Sequence, residues 1–121
     1  MLKIIIKTIP HAQQNYDTVG DYFLSPDGWL MINISDLGDW KEEILVAIHE
    51  IEEYALIKSR GIPIEDIDRW DMGYVGEGEP GDDKDSPYHR EHVFATKHEK
   101  ELAHELEVDW ELYEQHVGAL E

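Results

Sequence analysis

"AIHEIEEYAL", residues 47–56, sets one histidine and three glutamates into an otherwise apolar run. Charged side chains are rarely buried unless they are paired or hold a metal. How this segment meets that cost decides the reading of the whole chain. Asp39 is a good N-cap, and Glu42 stands three residues later as in a capping box. Gly61 suits the C′ position and Pro63 prevents continuation, so the segment reads as a helix from Asp39 to about Arg60. At about 100° per residue, Ile44, Ile48, Ile51 and Ala55 form an apolar spine, flanked by Leu45 and Leu56. Val46 and Ile57 lie on the far side, and a helix apolar nearly all round is a buried helix.

His49 and Glu53 fall between Leu56 and Val46, about 40° apart on the same wheel. They share one face, one turn apart, in apolar company. Groups at i and i+4 can bind one ion together. A divalent cation removes the cost of burying a carboxylate, and zinc accepts both imidazole nitrogen and carboxylate oxygen. The bland alternative is a buried His49–Glu53 hydrogen bond, or a solvent-facing stripe continued by Glu42.

A second helix supplies partners. Ser86 and Pro87 suit an N-cap and a first helical residue, and the helix is expected from Pro87 to about Leu106. Tyr88, Ala95, Leu102, Ala103 and Leu106 form one apolar arc, with His92 and Glu99 in its middle. His89, His98 and His104 lie away from its centre. Two buried helices each carry a His and a Glu on a packing face. The expected ligands of zinc, or of another divalent transition metal, are therefore His49, Glu53 and His92. Glu99 is either a fourth ligand or a partner that orients an imidazole.

The remaining elements follow from turn chemistry. "LKIIIKTI", Leu2 to Ile9, is a β-branched strand stopped by Pro10. Tyr22–Leu24 and Trp29–Ile34 are the arms of a hairpin around Ser25-Pro26-Asp27-Gly28. "PIEDIDRWDMGY" makes a short helix or turns. "VGEGEPGDDKDSP", Val75 to Pro87, is a loop without calcium-loop spacing. "VDWELYEQHVGAL" is a short C-terminal helix that Asp109 caps. The expected fold class is α+β: a small antiparallel sheet of about three strands packed against a long core helix, with a second long helix and the short C-terminal one.

The 121 residues fit one domain, and 41% apolar content supports a modest core. With no cysteine, neither disulfides nor a thiolate zinc site is available. The net charge of −18 makes nucleic-acid binding through a basic face an unsuitable function. The N-terminal apolar run is too short for a signal core or a membrane span, which points to the cytoplasm. No phosphate-binding glycine loop and no G-x-S-x-G is present. Trp29, Trp40, Trp70 and Trp110 read as core or interface aromatics.

"HEIEE" resembles the H-E-x-x-H motif of zincin metallopeptidases. The resemblance implies one zincin-like metal-binding domain over residues 1–121. It maps a zinc ligand onto His49 and a general base onto Glu50; Glu53 stands where the family has its second histidine. A wider pattern, "VAIHEIEEYALIKSRGI", "GEPGD" and "PYHREHVFATKHE", resembles a group of small uncharacterised phage and prophage proteins. That resemblance covers most of the chain. It favours His49, Glu50, Glu53 and His92 as a unit, and implies the host cytoplasm.

With three ligands and one open position, bound water would have a pKa near ~7. Glu50, one residue from His49, would take its proton. The Val75–Pro87 loop would cover the opening, and a peptide or amide bond is the expected substrate. The competing expectations are a structural metal module, a non-catalytic acidic inhibitor that imitates DNA, and a magnesium-dependent nucleotide hydrolase using Glu50, Glu53 and Glu99. The histidines and strands count against the last.

Overall fold

A computed structural model describes all 121 residues, Met1 to Glu121. Three strands, β1 (Ile4–Ile9), β2 (Gly20–Leu24) and β3 (Leu30–Ser35), form one sheet in the order β1-β3-β2. Four helices follow: α1 (Trp40–Ser59), α2 (Ile64–Gly73), α3 (His89–Glu105) and α4 (Trp110–Leu120). The fold is α+β, as expected.

The sheet corrects one expectation, because it is mixed rather than antiparallel. β2 and β3 form the expected antiparallel hairpin, but β1 pairs with β3 in parallel, with Ile6 opposite Ile32. β3 takes the centre because it is buried on both faces. Leu30, Ile32 and Ile34 lie in the core, and Asn33 and Ser35 are covered from the other side. The chain from Pro10 to Val19 crosses the end of β3 to reach the far edge. His11 Nδ1 meets Ser35 Oγ at 2.8 Å, and the Gln14 amide donates to Asn33 O at 3.2 Å.

Asp39 caps α1, its carboxylate accepting from the backbone N–H groups of Lys41 and Glu42. The expected capping box is replaced by a longer reach: Glu43 accepts from Leu37 N at 2.9 Å, while Glu42 meets His116 Nδ1 at 2.7 Å. Gly61 follows with φ +70, a left-handed conformation that glycine adopts without strain. The second long helix starts two residues later than expected, because Ser86 Oγ accepts from Tyr88 N and holds one more turn before α3. Asp109 caps α4 through Leu112 N, as expected.

The orientation of α1 overturns the apolar-spine expectation. Leu45, Val46, His49, Glu53, Tyr54 and Ile57 are buried, whereas Ile44 is 45% exposed and Ala55 is exposed. The face carrying His49 and Glu53 is thus the core face, packed on β2, β3 and α3. On α3 the expected arc holds, with Tyr88, His92, Ala95, Glu99 and Ala103 all buried. Trp70 and Trp110 pack on the core as expected, but Trp40 is 63% exposed and Trp29 lies at the surface. No helix is long and apolar enough to cross a membrane.

Candidate metal centre

α1 and α3 pack side by side and bring His49 and His92 together, with ring centroids 4.7 Å apart at 67°. Three donor atoms converge. His49 Nε2 is 2.9 Å from Glu53 Oε2, His92 Nδ1 is 2.9 Å from the same oxygen, and the two nitrogens are 3.2 Å apart. Zinc bonds of about 2.0–2.1 Å in a tetrahedron separate neighbouring donors by roughly 3.3 Å. The triangle therefore fits one metal ion with a slight opening, and buried His49, Glu53 and His92 are positioned to hold it.

Each member is oriented by a partner of its own. His49 Nδ1 lies 2.7 Å from Glu99 Oε1, and the Tyr113 hydroxyl donates to Glu99 Oε2. With its N–H on Nδ1, the ring presents the Nε2 lone pair to the centre. Of the two places expected for Glu99, it takes that of a partner on the far nitrogen of His49, outside the donor triangle. The Tyr22 hydroxyl donates to Glu53 Oε1 at 2.8 Å and leaves Oε2 for the centre. His92 is held edge-on to Tyr88 and against the backbone of Gly81. A Cβ on Gly81 would lie 2.5 Å from His92 Cγ, so only glycine fits there.

Gly81 belongs to a single 3-10 turn, Pro80–Asp82, inside the expected loop. The Trp70 indole donates to Pro80 O at 2.9 Å, and His89 Nδ1 donates to Gly81 O at 3.0 Å. The loop is therefore anchored against His92.

The electrostatics follow from burial and pairing. Burial opposes a charged His49 ring, but its hydrogen bonds to Glu53 and Glu99 outweigh that and hold its pKa well above the usual imidazole value. Burial opposes charge on His92 too, yet the Asp82, Glu53 and Glu79 carboxylates push its pKa up to about 12. Burial alone would raise Glu53; hydrogen bonds from the two imidazoles lower it to about 2. Protons on the two rings thus compete with a cation for the same donor atoms.

Glu50 is half-buried and faces a cavity of about 90 Å³ that His49, Glu53 and His92 also line. Burial, then the charge of Glu53, pushes its pKa well up. A Cβ on Gly20, the first residue of β2, would lie 2.7 Å from Glu50 Oε1; the bare glycine makes room for the carboxylate. Glu52 turns away and pairs with His98 at 3.0 Å. His49 and Glu50 also line a larger cavity of about 510 Å³, walled in part by Trp110, Tyr113 and Val117.

Sequence reasoning missed Tyr22, Tyr113, Gly20, Gly81, Glu79 and Asp82. The glycine and acids of "GEPGD" marked a loop, and nothing local tied that loop to His92. No family model, curated protein or solved structure matches the chain.

Proposed function

We propose that the chain is a zinc-binding hydrolase in which Glu50 is the general base. The observation that carries this reading is the triangle of His49 Nε2, Glu53 Oε2 and His92 Nδ1 beside a cavity that Glu50 shares. Two imidazole nitrogens and one carboxylate oxygen suit zinc better than magnesium. When bound, zinc supplies Lewis acidity and lowers the pKa of water at the site.

The chain's own groups do the rest. Glu99 and Tyr113 hold the His49 ring, and Tyr22 holds Glu53. Glu50 takes the proton from the attacking water and returns it to the leaving group. Neither cavity beside Glu50 is lined by a lysine or an arginine, whereas carboxylates line both. Such walls disfavour anionic substrates such as phosphate esters and suit a neutral or cationic one. A peptide or amide bond remains the leading substrate class, by analogy with the zincin resemblance. The resemblance to phage proteins would place this activity in the host cytoplasm.

A second reading is a structural ion that ties α1 to α3, favoured by ligands drawn from both helices and by the small volume of the cavity, about 90 Å³. Elemental analysis of untagged protein should find one zinc per chain, lost in His49→Ala. Glu50→Gln should keep the zinc and lose hydrolysis of a peptide library. Zinc without hydrolysis in the wild type selects the structural ion. Absence of zinc, with tight binding to a nuclease or polymerase, selects an acidic inhibitor.

A further inference from the structure

His92 brings only one of its ring nitrogens to the donor triangle. The other, Nε2, is fully buried and has no aligned hydrogen-bond partner, in a residue 4% exposed. Two carboxylate oxygens lie beside it. Asp82 Oδ1 lies 3.1 Å away and Glu79 Oε2 3.2 Å away, and the three atoms fall within 4.8 Å of one another. The two side chains are 59% and 44% exposed, so the group opens to solvent with the buried nitrogen at its base. The turn that carries them is held by the Trp70 and His89 hydrogen bonds and by the close contact of Gly81 with the ring.

We propose that Glu79, Asp82 and Nε2 of His92 form a second divalent-cation site that shares the His92 ring with the first. Two carboxylate oxygens and one nitrogen make a harder donor set than the first triangle, suited to manganese or ferrous iron. Nothing in the first triangle has to move. With both sites filled, the ring bridges them as an imidazolate. The Nε2–H bond breaks as the second cation arrives; the electron pair stays on nitrogen and binds the cation, and the proton leaves to water. An ion already on Nδ1 assists, because its charge makes Nε2–H more acidic. The exposed carboxylates give the second ion a direct path from solvent, so it exchanges faster than the first.

The probe is manganese itself. Full-length protein is loaded with zinc, the zinc content is measured, and manganese is titrated in while the signal of the free aqueous ion is followed by electron paramagnetic resonance. The wild type should take up one manganese per chain without releasing zinc. Asp82→Asn combined with Glu79→Gln, compared with the wild type at equal measured zinc loading because both carboxylates face the far nitrogen of His92, should weaken manganese uptake by more than about tenfold. His49→Ala, which removes a ligand of the first site, should still bind manganese; the second site is thereby tested even if zinc does not bind the first. Manganese left free by both the wild type and His49→Ala would overturn the proposal, with the carboxylates reduced to positioning the ring. Equal uptake by the double variant would also overturn it, as would uptake only when His49 is absent.

Discussion

A buried imidazole has two nitrogens to satisfy, and at His49 the division of labour rests on two residues that never meet the centre. Glu99 accepts from Nδ1 and Tyr113 donates to Glu99. Tyr113→Phe and Glu99→Gln should each lower zinc affinity by about 10–100-fold, measured by chelator competition, while circular dichroism stays unchanged. Undiminished affinity in both would remove Glu99 from its orienting role. Gly81→Ala makes a steric test. The new methyl group must displace the His92 ring or the turn, at a cost of about 1–3 kcal/mol on thermal or urea unfolding, with weakened metal binding alongside. His49 with Glu53, and His92 with Glu99, were legible as two pairs because helical spacing sets which residues share a face, and the packing of α1 on α3 brings the pairs together. Tyr22 and Gly81 were not, because their contacts depend on segments separated from the helices by many residues.

At the level of single elements, α1 teaches the limit of a helical wheel. Its apolar residues spread over nearly the whole circumference, so periodicity fixes the helix but leaves its rotation undetermined. The sheet and α3 settle that rotation by burying the His49–Glu53 side and turning Ile44 outward. Two substitutions read this directly. Ile57→Ala, at a residue 1% exposed, should cost about 2–5 kcal/mol of unfolding free energy. Ile44→Ala should cost less than about 1 kcal/mol, and a reversal of that order would refute the assigned core face. Asp39→Ala should cost about 1 kcal/mol through loss of the N-cap.

For the molecule as a whole, the raised and lowered pKa values set a pH dependence with a definite sign. His49 and His92 have raised values, so their contribution to stability is complete below about 6.5 and drains away as pH rises toward their folded values, about 12 for His92. Burial pushes Asp21 and Asp71 up to about 6 and Glu121 to about 7, and their contributions too are lost as pH rises. Glu53 acts in the opposite sense, lending stability above its unfolded value and losing it as pH falls toward about 2. The ion-free chain should therefore unfold at a higher temperature at pH 6 than at pH 8. Zinc must displace the imidazole protons, so its stabilising effect should grow over the same interval. Thermal melts with chelator and with zinc at the two pH values check both signs; an equal zinc gain at each would count against displacement. With a net charge of −18, added salt should raise the melting temperature of the ion-free protein.

The residues by themselves determined the helices, the hairpin and the likeness of two helical faces that each carry a His and a Glu. Those features depend on caps, turns and spacings within a few positions of one another, where the physics is local. The rotation of α1, the parallel seat of β1 beside β3, and the split between ligands and orienting partners were decided only by the tertiary structure. They depend on which distant surfaces compete to cover the same apolar area and the same buried charge, and a linear string does not encode that competition position by position.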